Sequence, residues 1–190
     1  IAAACAVAIR SAMADAPSRS VPSNKPTFLV ATRELGDPLF QHSVVLMVPA
    51  HQPPLVVGII INKPGRMTVR DVFPDVASLK DRTDSVYFGG PVDYTTASLL
   101  TREPPPSGKA QRVLDGVYLI VDRDSIAEAL KKPAPGSDLR FVLGRAQWSH
   151  DQLRSEIQAG SWYIAPAAAE QVFSAEPKGL WRELINRAEL

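Results

Sequence analysis

Histidine is the side chain best suited to moving protons near neutral pH, and this chain has three: His42, His51 and His150. Two of them lie beside hydroxyl and carboxylate groups. Asp37, His42 and Ser43 fall within seven residues, and Ser149, His150 and Asp151 are consecutive. Both groups hold the residue types of nucleophilic hydrolysis, in which an acid orients a histidine that takes a proton from a serine. The spacing argues for blander roles. Neighbours on a strand point to opposite faces, so an extended His42 and Ser43 cannot exchange a proton. "GDPLFQHS" reads as a turn in which Asp37 bonds backbone amides ahead of Pro38. Ser149 stands three residues before Gln152, the pattern of a helix-capping box. A hydrolase using His42 or His150 is thus an alternative function, not the leading one.

Other chemistry has less support. The histidines sit in separate segments without partners at ligand spacing, so no metal site is expected. The single cysteine, Cys5, permits no internal disulfide and no cysteine-bound zinc in the body of the chain. "VYFGGPVD" (Val86 to Asp93) lacks the third glycine of a dinucleotide loop and the Gly-Lys-Ser/Thr of a P-loop. Asp93 beside it would repel a phosphate. No cofactor is expected. Gly89 and Gly90 still allow a partner to approach the backbone, and Pro91 fixes the exit of the turn.

Charge is equally restrained. The chain of 190 residues carries a formal net charge of +1, from 21 basic and 20 acidic residues. Taking Arg10, Arg19, Lys25 and Asp15 from those totals leaves 18 basic against 19 acidic residues after position 27. A dedicated nucleic-acid binder shows a basic excess, so direct nucleic-acid binding is only the third reading.

The elements that must position these groups follow from pattern and punctuation. With 45% apolar and 22% charged residues, the composition is that of one globular domain. Thr27–Thr32, Ser43–Val48 and the doubly apolar Leu55–Asn62 read as strands. Gly58 marks a bulge or close approach in the third. A short helix starts at Thr68, boxed by Asp71 and ended by Pro74. "SVYF" is a strand running into Gly89. Ala97–Thr101, a single strand Val113–Val121, Leu139–Leu143 ending at Gly144, and "SWYIAP" complete the set. A helix boxed by Ser125 and Glu128 closes at Pro133. Another runs from the Ser149 cap to Gly160, with Leu153 and Ile157 on one face. The last puts Leu180, Trp181, Leu184 and Ile185 on one stripe. Seven or eight strands and four or five helices, not in strict alternation, predict an α+β fold. The sheet should be mixed, mostly antiparallel, and curled towards a partial barrel with flanking helices.

Residues 1–27 read as a leader and linker, and 28–190 as the domain. "IAAACAVAI" has the length of a signal-peptide core, and Ala12-Met13-Ala14 fits a cleavage site. A disordered extension or misassigned start, and a lipid-anchored Cys5, are the competing readings. If the leader is genuine the protein is exported to the periplasm; otherwise it is cytoplasmic. No apolar stretch reaches the length of a membrane span.

Four segments in order carry a family resemblance: "FLVATRELGDPLFQHSVVLMV", "GIIINKP", "VYFGGPV" and "LGRAQWSHDQLRSEIQAGSWYIAP". Together they resemble the AlgH/YqgE-like family of bacterial proteins, with its D-P-x-F-x-x-S-V turn, N-K-P, G-G-P-V loop and G-Y-x-G-W-x-x-G-Q-L-x-x-E segment. Arg145, Gln147 and Asp151 replace the Tyr, Gly and Gly of the last motif. The resemblance implies an α+β partial barrel. It implies no reaction; the family's name comes from a role suggested for it in regulating alginate synthesis. The expectation is a non-enzymatic regulatory or ligand-binding protein with an unidentified protein or small-molecule partner. Its groove would be built by Asn62, Lys63, Gly89, Gly90, Pro91, Trp148 and His150.

Overall fold

The structure, a computed structural model, describes residues 25–49, 55–131 and 138–190. Its centre is one curled ten-stranded sheet in the order β10-β1-β2-β3-β9-β6-β8-β7, with β5 also beside β9 and β4 beside β5. β1 (Thr27–Ala31), β2 (Val44–Val48) and β3 (Leu55–Ile60) form an antiparallel meander. β10 (Trp162–Pro166) adds to the outer edge of β1. β6 (Val92–Thr101), β7 (Gln111–Leu114) and β8 (Val117–Ile120) form the other side. Every pairing is antiparallel except that of β5 (Ser85–Phe88) with β9 (Leu139–Ser149), which is parallel. The expected α+β fold, a mixed and mostly antiparallel sheet curled into a half-barrel, is what the chain adopts.

β9 is the spine. Its first half pairs with β5 and β6, from Leu139 to Leu143, and its second half with β3, from Ala146 to Ser149. Gly144, at φ 77°, sits where the partners change. A sequence reader ends the strand there, because glycine in a strand signals a break. Here the left-handed residue bends the strand instead of stopping it, and β9 continues for eleven residues.

Strand alternation explains why the meander is apolar throughout. Phe28, Val30, Val44 and Leu46 pack with Val172 and Phe173 and with Leu180, Leu184 and Ile185 of α5 (Pro177–Ala188). Leu29, Ala31 and Val45 face the other way, onto Leu153 and Ile157 of α3 (His150–Gln158). A third cluster gathers Leu99, Ile120 and Phe141 with Ile126 and Leu130 of α2 (Arg123–Lys131). Two-sided burial needs an apolar residue at every position, the signature of a covered sheet.

Several local readings hold. Asp71 Oδ2 accepts the Thr68 N–H at 2.8 Å and starts α1 (Val69–Val72). Ser149 Oγ accepts the Gln152 N–H at 3.1 Å and starts α3, which Gly160 closes at φ 81°.

Others need correction. Val113–Val121 is not one strand but a tight hairpin: Asp115-Gly116 turns between Leu114 and Val117, the dipeptide that most favours such a turn. β6 starts at Val92, five residues before the expected Ala97, because its first half crosses a bulge. α2 is capped by Asp122, not Ser125: Asp122 Oδ2 accepts both the Ser125 N–H at 3.0 Å and its hydroxyl at 2.7 Å. β4 (Pro64–Thr68) and the short α4 (Ala169–Val172) have no clear sequence signal. Residues 1–24, His51 and Pro133 lie outside the described residues.

Candidate functional site

The family-like motifs build three locks in the frame, and the first is a buried joint at Gly89 and Gly90. Gly89 donates its N–H to the Leu143 carbonyl of β9 at 2.8 Å and accepts from Ile60 N–H of β3 at 2.9 Å. It bridges the two strands just where the sheet changes partners. Gly90 lies at φ 145°, with its Cα against the Arg145 and Ala146 backbone, so a side chain at either glycine would enter the chain of β9. The two glycines are required by backbone crossing at a buried junction. Both are buried, and Pro91 beyond them is exposed.

Asn62 is also structural. It is 5% exposed, accepts from Val44 N–H at 2.7 Å and donates to the His42 carbonyl at 2.9 Å. A side-chain amide therefore replaces a missing backbone partner at the start of β2. Lys63 donates to the Leu39 carbonyl at 2.6 Å. Burial lowers its pKa, and the Asp37 charge partly opposes this. The 36–43 turn is thereby pinned from below.

Trp148 belongs to a third lock. It is 3% exposed, and its Nε1–H donates to Glu156 Oε2 at 3.0 Å. Trp162 Nε1–H donates to the same oxygen at 2.8 Å, and Gln152 Nε2–H to Oε1 at 2.9 Å. Phe40 lies 5.8 Å from the Trp148 ring and 5.7 Å from that of Trp162. One carboxylate thus satisfies two buried indoles, which would otherwise cost desolvation. The W-x-x-x-Q-L-x-x-E spacing has this meaning: the donors and the acceptor meet across the first turns of α3.

The hydrolytic constellations do not assemble as triads. His42, at φ 56°, lays its ring 4.2 Å from the Trp181 ring. Ser43 Oγ donates to the Phe40 carbonyl at 2.6 Å, and Asp37 Oδ1 accepts the Leu39 N–H at 2.8 Å. His150 is exposed at the start of α3, where Asp151 pairs with Arg154 at 2.8 Å.

The opening in the molecule lies elsewhere. A groove of about 400 Å³ runs between the ends of β2 and β3 on one side and β6, β8 and β7 on the other. Val57, Ile59 and Leu119 line it, continuous with the cluster that holds α5. Arg145 and Gln147 project from β9 and Asp93 from β6. Arg145 Nη1 pairs with Asp93 Oδ2 at 2.7 Å, and Gln147 Oε1 accepts from Arg145 Nη2 at 3.3 Å. Leu55 and Val121 stand exposed at the rim. Gln111 Nε2–H donates to the Pro49 carbonyl at 2.5 Å and ties β7 to the end of β2. None of the seven residues proposed from sequence lines this groove. Asn62, Lys63, Gly89, Gly90 and Trp148 instead hold separate parts of the frame. The signal for the groove lay in Arg145 and Gln147, two of the three departures from the family motif.

Among the described residues no three histidine, cysteine, aspartate or glutamate side chains gather as a metal would require. No described helix is long and apolar enough to cross a membrane.

A half-barrel pinned by a Gly-Gly-Pro crossing and a Trp–Glu–Trp lock, with an apolar groove at its open end, defines a class of α+β protein. The AlgH-like family model matches residues 28–190, and the chain belongs to that family. A UPF0301 protein of Myxococcus xanthus is 38% identical over 161 residues, covering 82% of this chain and 86% of its own. A UPF0301 protein of Chlorobium luteolum is 32% identical over 162 residues, covering 83% and 82%. The solution structure of the AlgH protein of Pseudomonas aeruginosa superposes with a TM-score of 0.71 at 23% identity, over 91% of this chain and 93% of that one. At that identity the likeness speaks for the fold.

Proposed function

We propose that the protein is a non-catalytic binding module of regulatory type, and that its recognition surface is the groove at the open end of the half-barrel. One observation carries this reading: a groove of about 400 Å³ with an apolar floor and one polar wall. That size and lining suit a small ligand. Arg145, Asp93 and Gln147 on its wall are already paired with one another, and no histidine or cysteine among the described residues lines it. A hydrolase would need a base within reach of a nucleophile; the His42 ring lies against Trp181 and His150 is exposed at the start of α3, away from the groove. Direct nucleic-acid binding lacks the basic excess that drives it.

The experiment is native mass spectrometry of the purified chain with and without Gln147→Trp. The added indole should fill the groove. A small molecule that co-purifies with the parent chain and is lost from a folded Gln147→Trp variant supports the reading. Equal retention by both chains, or no bound molecule together with no thermal shift from any apolar probe, overturns it.

A further inference from the structure

We infer that the groove takes an amphipathic monocarboxylate, an aliphatic acid whose chain lies on Val57, Ile59 and Leu119 and whose carboxylate is received by Arg145. The inference rests on the binding-site reading above and specifies its ligand. Arg145 is the one cation among the described residues that line the groove, beside its apolar floor. Its planar guanidinium is suited to a carboxylate, which it meets with two parallel N–H donors. That place is already taken by a carboxylate of the chain itself. Asp93 reaches Arg145 at 2.7 Å, and both side chains are substantially exposed, at 50% and 38%.

The backbone is bent to bring this about. Asp93 has φ 47°, a left-handed conformation that costs a non-glycine residue energy. The pairing of β6 with β9 slips between Val92 and Ala97, opposite Gly144 at φ 77°. A Cβ on Gly144 would lie 3.1 Å from Tyr94 Cα and 3.3 Å from the Val92 carbonyl. This double irregularity turns Asp93 and Arg145 towards each other at the rim, the usual work of a bulge at a barrel edge. Gly144 is pressed against the Gly90 carbonyl of the buried joint, but no burial demands the Asp93 half, since residues 93–96 are exposed. Asp93 therefore acts as a built-in stand-in for the ligand carboxylate. It keeps Arg145 extended and oriented when the groove is empty, and it competes with the incoming acid. An internal competitor lowers apparent affinity by the fraction of sites it occupies. Gln147 holds the other edge of the guanidinium and so fixes its plane.

The test measures binding of decanoate and of decanol to the full chain by calorimetry, with folding of each variant confirmed by its thermal transition. Decanoate should bind and decanol more weakly. Arg145→Gln should weaken decanoate about tenfold or more, the loss expected for a charge-assisted contact, and leave decanol unchanged. Arg145→Lys should retain only part of the affinity. Asp93→Asn should tighten decanoate several-fold. Equal binding of acid and alcohol, insensitive to Arg145→Gln, overturns the carboxylate inference but leaves the groove reading standing. Failure of both probes to bind overturns both. Weaker decanoate binding in Asp93→Asn removes the competitor role and with it the stated mechanism.

Discussion

The second half of β9 has two faces that do opposite things. Ala146 and Trp148 point into the packed layer beneath α3, where the indole is paired with Glu156 and walled by Phe40 and Trp162. Arg145 and Gln147, one position out of step, point into an open groove. One strand thus carries a fully satisfied frame and a half-exposed polar rim. Side chains alternate at period two, so adjacent residues can be under unrelated demands. Motif position alone therefore says little about function: the residues that make a family recognisable are here the ones that hold the frame.

Substitutions can break this contrast. The largest effect is expected for Gly90→Val. The new side chain meets the β9 backbone and the φ of 145° does not suit it. Loss of about 4 kcal/mol or failure to fold is expected, combining overpacking with backbone strain, and is read by urea denaturation. Such a variant reports on the frame and not on a ligand. A Gly90→Val chain of unchanged midpoint would mean the glycines are free for binding after all.

Glu156→Ala comes next. It strands two indole N–H groups in the packed layer, so about 2–3 kcal/mol should be lost while decanoate binding stays within twofold. Asn62→Ala removes two hydrogen bonds that start β2. About 1–3 kcal/mol should be lost, again with the groove intact. Arg145→Gln should do the reverse: under about 1 kcal/mol in stability, the usual worth of an exposed ion pair, with the ligand effect given above. A large destabilisation from Arg145→Gln would erase the distinction between rim and frame.

The smallest effect is a pH dependence far from the groove. Hydrogen bonds from the Thr68 backbone and hydroxyl hold the Asp71 pKa below its ordinary value. Its contribution is therefore present above the unfolded carboxyl pKa and lost as pH falls through the lower folded one. Chemical denaturation should show Asp71→Asn less stable than the parent at neutral pH, with the two converging in acid. A difference that persists unchanged at low pH would mean that the charge of Asp71 plays no part in the cap.

Much of the frame was legible because it depends on near neighbours in the chain. Thr68 with Asp71 and Ser149 with Gln152 are three residues apart, and backbone geometry alone brings them together. The doubly apolar strands announced a sheet covered on both sides. Val113–Val121 was misread because apolar content outweighed the Asp115-Gly116 signal. β9 was cut short because a glycine that bends a strand looks the same in sequence as one that ends it.

The site divides along the same line. Residue order determined the family, the fold class and the helix starts at Thr68 and Ser149. Which side chains face the opening was decided only when β9 changed partners at Gly144 and the bulge in β6 brought Asp93, fifty-two positions earlier in the chain, onto Arg145. A bend and a register slip are cooperative properties of several paired strands. Neither is encoded at the residues it places, so the groove had no local signature beyond Arg145 and Gln147.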